Sequence, residues 1–126
     1  FFYNIVTPKK GKAKAIVFYA HGYSEHCDLS LEVGQRLAEK GFAVVLFDCP
    51  GHGRSDGDYL QITDWFEFID KIWQFVDMAL PLARTAAGPQ AKKVFAMGES
   101  MGGGIVTTMA LQKPDFFAGI ILVAPM

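Results

Sequence analysis

The chain has 126 residues, a formal net charge of −1 at pH 7, 51% hydrophobic and 13% aromatic residues. That is enough apolar material for one modest core and too much for a disordered chain. The basic residues form no stripe, Lys9, Lys10, Lys12 and Lys14 reading as one solvated turn, so nucleic acid is not expected as a partner. No apolar run reaches the ~18 residues of a membrane span. Two cysteines, Cys27 and Cys49, make no disulfide framework, and the spacing of His21, His26 and Cys27 matches no common zinc pattern. The chain opens at Phe1 with a strand-like segment and carries no readable signal or transit peptide.

From the amino terminus, Phe1–Val6 reads as an edge strand, followed by a hairpin turn over Thr7-Pro8-Lys9-Lys10-Gly11. Four later runs, Ala15–Ala20, Phe42–Phe47, Val94–Met97 and Gly119–Val123, are rich in Val, Ile and Phe and do not alternate with polar residues. Such runs suit strands buried on both faces. A helix is expected over Leu29–Lys40, stopped by Gly41. Asp64 with Glu67 resembles a capping box. The helix it opens carries Trp65, Phe68, Ile69, Ile72, Val76 and Ala79 on one face, and Pro81 is expected to end or kink it. Trp65 and Trp73 read as core rather than as a ligand cage. The alternation of strand and helix predicts an α/β fold, a mostly parallel β-sheet flanked by helices, in one domain. Ligands bind beyond the carboxyl ends of such strands, which directs attention to the loops after Ala20, Phe47, Met97 and Val123.

The loop after Met97 reads Gly98-Glu99-Ser100-Met101-Gly102, a G-x-S-x-G between a buried strand and a helix. That context is a nucleophile elbow, with the Ser100 hydroxyl raised above the sheet. Gly98 and Gly102 are expected because a side chain at either would collide across the turn, and Gly103 and Gly104 to let the helix pack closely. The helix amino terminus beneath Ser100 favours negative charge. Phosphate binding does not fit, since the G-K-[ST] ending of a P-loop is missing and Glu99 would repel a phosphate. In the loop after Ala20, the pair His21-Gly22 stands where this fold draws its second oxyanion donor. The donors are expected to be the backbone N–H groups of Tyr23 and Met101, with His21 structural and Gly22 turning the backbone toward the substrate. The loop after Phe47, Asp48-Cys49-Pro50-Gly51-His52-Gly53-Arg54-Ser55, departs from a dinucleotide fingerprint, because Asp56 stands at the third glycine position. It reads as a tight hydrogen-bonded border of the site, with Asp48 and His52 structural.

Together HGYSEH at 21–26, FDCPGHGRSDG at 47–57, GESMGG at 98–103 and ILVAPM at 121–126 resemble the α/β-hydrolase superfamily. The resemblance is narrower still to its monoacylglycerol lipase-like branch, the serine aminopeptidase S33 type, and to plant and algal members once called lysophospholipases. It runs through essentially the whole chain. It implies Ser100 as nucleophile, Tyr23 and Met101 as oxyanion donors, and Glu25 and His26 at the polar end of a substrate pocket. It also implies hydrolysis of an ester or lipid without metal or organic cofactor, in the cytoplasm or at a membrane periphery, with a cap as the membrane contact.

One departure stands out. The triad order of this fold is Ser, then Asp or Glu, then His. After Ser100 the only carboxylate is Asp115, at a helix end, and no histidine follows at all. The chain is therefore expected to be the amino-terminal part of a hydrolase domain, incomplete at its carboxyl-terminal side and nearly inactive alone. The expected function is cleavage of a carboxylic ester, a monoacylglycerol or lysophospholipid, through an acyl-enzyme. An acyltransferase on the same scaffold, or a hydrolase-like binding module without a base, are the alternatives.

Overall fold

The computed structural model describes residues 1–10 and 12–126. Five strands, β1 (Tyr3–Val6), β2 (Ala15–Ala20), β3 (Phe42–Phe47), β4 (Val94–Glu99) and β5 (Gly119–Val123), form one sheet in the order β1-β3-β2-β4-β5. All neighbours are parallel except β1, which runs antiparallel to β3. The helices are α1 (Leu31–Glu39), α2 (Trp65–Ala87) and α3 (Met101–Gln112), with a 3-10 turn at Cys27–Ser30 before α1.

The period of two along the central strands divides the core. Val44, Leu46 and Tyr19 face α1, where Leu31, Val33 and Leu37 cover them. Ile16, Phe18, Ala43, Val45, Phe47 and Ala96 face α2 and α3, which supply Phe68, Ile69, Ile72, Phe75, Val76, Ile105 and Met109. Both indoles tie α2 to α3. The Trp65 N–H donates to Thr108 Oγ1 at 3.1 Å and that of Trp73 to Gln112 Oε1 at 2.8 Å, with the Lys113 ammonium 3.9 Å over the Trp73 ring. The tryptophans are structural, as their helical spacing predicts.

Three expectations are revised. β1 forms no hairpin with β2; it crosses to the free edge of β3, because β2 is already flanked on both sides by β3 and β4. The Gly11 end of the predicted turn lies outside the described residues. Helix α2 does not stop at Pro81 but continues to Ala87. Pro81 and Asp77, whose carbonyl the proline leaves without a donor, are both exposed, so water can satisfy that group, while Ala83 and Ala87 continue the buried stripe. Helix α1 is shorter than predicted, its first turn being the 3-10 segment, and ends before Gly41 with its left-handed φ of 98°.

Order reverses at β2, with β3 on one side and β4 on the other, so the loops leaving β2 and β4 diverge at the topological switch point. In register Ala20 lies beside both Phe47 and Gly98, and Gly98 beside Leu122. The loops singled out in the sequence therefore emerge together.

Candidate active site

Strand β4 runs two residues further than its apolar pattern suggests and delivers the chain directly into Ser100, at φ 52° and ψ −116°. That conformation is strained for a residue with a side chain. Backbone bonds hold it. The Ser100 N–H donates to the Val123 carbonyl at 3.0 Å, and the Ser100 carbonyl accepts from the amides of Gly103 and Met126, both at 2.9 Å. A Cβ at Gly98 would run into the Gly102 carbonyl, and one at Gly102 into the carbonyl of Ala20. The two glycines are thus required by close backbone approach. Gly103 packs on Pro125, whereas Gly104 has room for a Cβ, so only the first of that pair is needed for packing. The Ser100 side chain is left exposed at the amino terminus of α3.

The His21–His26 loop lies against this elbow: a Cβ built on Gly22 would sit 3.5 Å from Ser100 Cβ. Residues 22–25 form a tight turn, closed by the Glu25 N–H on the Gly22 carbonyl at 3.2 Å, with Ser24 left-handed at φ 63°. The Glu25 carboxylate folds back to accept the Gly22 amide at 2.8 Å, so it engages its own turn. His26, half-buried and extended, opens the 3-10 turn beside Gly53. Among the described residues, the amides of Tyr23 and Met101 donate to no protein acceptor. Met101 itself is buried in the core.

His21 is fully buried and both ring nitrogens are engaged. Nε2 accepts from the Cys49 amide at 2.9 Å, which leaves Nδ1–H to donate to the Gly22 carbonyl at 2.7 Å. Burial lowers its pKa, against the raising pull of the Gly22 carbonyl. Asp48 works similarly at the next loop, accepting from the amides of Cys27 at 2.6 Å and Arg54 at 2.8 Å. Burial would raise its pKa, but those amides and the Cys27 thiol hold it below the usual carboxylate value. Burial, then Asp48, pushes Cys27 up to about 12; burial likewise raises Cys49, and both thiols are free and buried. His52 has Nδ1 3.0 Å from the Pro50 carbonyl, while its buried Nε2 meets no protein partner among the described residues.

Some contacts escaped the sequence reading. Tyr19 O–H donates to Glu99 Oε2 at 2.8 Å, joining β2 to β4 just before the elbow. Burial, then the Glu99 carboxylate, pushes that phenol up to about 12, against a lowering bond from Ser30. Tyr23 O–H donates to the Leu60 carbonyl. Nothing in local pattern marks either pair; a phenolic hydroxyl in an otherwise apolar strand is the one available signal for the first. Among the described residues no three His, Cys, Asp or Glu side chains are grouped to hold a metal ion, and no helix is long and apolar enough to cross a membrane.

Residues 11–126 match the family model described as serine aminopeptidase, S33. The chain is 32% identical to monoglyceride lipase from Mus musculus over 116 residues, 92% of this chain and 36% of that protein. It is also 32% identical to monoacylglycerol lipase from Mycolicibacterium smegmatis over 123 residues, 98% of this chain and 41% of the relative. Among solved structures, Est1E from Butyrivibrio proteoclasticus with ferulic acid bound superposes with a TM-score of 0.82 at 25% identity, covering 98% of this chain and 48% of that one. The chain thus spans well under half the length of the curated relatives it matches.

Proposed function

Because the chain belongs to the S33 serine aminopeptidase family of α/β-hydrolases, in its monoglyceride lipase-like branch, we propose that the whole protein is a serine hydrolase. It cleaves a carboxylic ester, a monoacylglycerol or lysophospholipid, through an acyl-enzyme on Ser100. The Ser100 hydroxyl attacks the ester carbonyl as a base takes its proton, and the amides of Tyr23 and Met101 receive the oxyanion at the α3 terminus. The alcohol leaves, and water then releases the acid. The reading assigns the acid and histidine of the triad to the part of the whole protein outside these residues. His21 is unsuited to act as base, since Nε2 already accepts an amide.

One observation carries the reading: Ser100, exposed, sits in a left-handed conformation between two glycines that admit no Cβ. Such a conformation costs about 1–3 kcal/mol and clusters at functional sites. A binding module without catalysis has no use for that strain, which weighs against the alternative. The substrate class is supported by the relatives named monoglyceride lipase and monoacylglycerol lipase. In the full-length protein a fluorophosphonate probe is expected to label Ser100, and Ser100→Ala to abolish both labelling and turnover of a monoacylglycerol, a loss of ~10⁴-fold or more. Labelling that persists in Ser100→Ala would place the nucleophile elsewhere.

A further inference from the structure

Tyr23 has a side chain as well as an amide, and that side chain is more constrained than its 53% exposure suggests. Its hydroxyl donates to the Leu60 carbonyl at 2.9 Å, across 37 positions of sequence. Its ring stands edge-on to His52, with centroids 5.6 Å apart and planes at 78°. Leu60 is anchored in turn, its amide donating to the Gly51 carbonyl at 3.0 Å.

Both ends of this bridge are strained. Ser24, next to Tyr23, has φ 63° and Leu60 has φ 54°; with Ser100 they are three of the four non-glycine residues at positive φ among the described residues. Conformations of this kind persist only where neighbours over-determine them. The turn at 22–25 is closed on its own side by Glu25, and among the described residues the Tyr23 hydroxyl makes the one side-chain bond that ties the turn to the 51–60 loop. His52 beneath the ring is held in its own loop, its Nδ1 lying 3.0 Å from the Pro50 carbonyl.

We propose that the Tyr23 side chain is a positioning latch: fastened to Leu60 and resting on His52, it sets the direction of Tyr23's own amide toward the oxyanion. The inference rests on the hydrolase reading above. Its physical basis is angular. An oxyanion donor works at 2.7–3.1 Å and weakens steeply when misaligned. With the hydroxyl gone, the Gly22–Tyr23 peptide keeps the bonds its carbonyl accepts from His21 Nδ1 and the Glu25 amide, but the turn loses its tie to the 51–60 loop and can tilt, carrying the Tyr23 amide off line.

The test is Tyr23→Phe in the full-length protein, which keeps the ring on His52 and removes only the bond to Leu60. Active sites are titrated with a fluorophosphonate, kcat and KM measured on a short-chain p-nitrophenyl ester, and inhibition measured with an alkylboronic acid, which forms a tetrahedral adduct on the serine. The expected result is a kcat about 10-fold lower, below the ~10²–10³-fold loss of deleting an oxyanion donor outright. KM should stay within about twofold, and the boronate Ki should rise by the same factor as kcat falls. A merely structural bond would lower the melting temperature or the titrated fraction and leave kcat per site and Ki unchanged; that result overturns the latch. Ser100→Ala, run alongside, separates the two claims. If it is inactive while Tyr23→Phe behaves as wild type, the latch alone falls. If it retains turnover, the hydrolase reading falls and takes the latch with it.

Discussion

At the elbow the restraints on Ser100 itself are backbone against backbone: Ser100 is bonded to Val123, Gly103 and Met126, and Gly98 and Gly102 are pressed on carbonyl groups. The neighbouring loops, residues 21–27 and 48–60, are held by side chains that reach for backbone. His21 takes the Cys49 amide, Asp48 the amides of Cys27 and Arg54, and Tyr23 the Leu60 carbonyl. The two regions fail differently. Steric restraint admits no partial loss, because an added atom has nowhere to go. Restraint by side-chain bonds can be removed one bond at a time, each at a modest cost.

The largest effect should come from the first kind. Gly102→Val puts a branched side chain onto the Ala20 and His21 carbonyls. It is expected to cost about 3 kcal/mol or more in stability, together with most of the activity, since the start of α3 must move away from the end of β2. Chemical denaturation and ester turnover on the same preparation check this. Wild-type values would mean that the backbone does not approach as closely as described.

Asp48→Ala probes the second kind. It leaves the buried Cys27 amide and the part-buried Arg54 amide without their acceptor, for an expected loss of about 1–3 kcal/mol. The elbow does not depend on Asp48, so fluorophosphonate labelling of Ser100 should slow by less than about tenfold. A collapse of labelling comparable to that of Gly102→Val would erase the distinction between the two regions.

The smallest effect is a slope against pH. His21 stays neutral in the fold because its pKa is lowered, whereas the unfolded chain takes up that proton below about pH 6.5. The unfolded state then binds more protons, so stability falls as pH drops below that point, by no more than ~1.4 kcal/mol per pH unit. Asp48, held below its usual value, adds a further loss only below about pH 4. His21→Gln, which can still accept from Cys49, should flatten the first decline; an unchanged slope would assign it to another group.

Local chemistry was readable in the sequence and distant pairing was not. The strands could be read because runs such as Phe42–Phe47 carry their burial in their composition, and the elbow because its glycines and serine are contiguous. Whether Pro81 ends the helix was not legible because its effect depends on which way that side of α2 faces, and the apparent hairpin at 7–11 misled because the partner of β1 is decided by the crowding of β2. Tyr19 with Glu99, Asp48 with Cys27 and Tyr23 with Leu60 lie 80, 21 and 37 positions apart. No window of local pattern spans such distances.

The bonds from Ser100 to Val123 and Met126 have a consequence for the order of folding. Strands β2 and β3 can pair and take up α1 before residues 98–104 are fixed. The bonds that hold the serine at positive φ are complete only when β5 has docked, more than twenty residues further along the chain. During synthesis, with the amino-terminal elements folding first, the Ser100 backbone is therefore fixed at a late step.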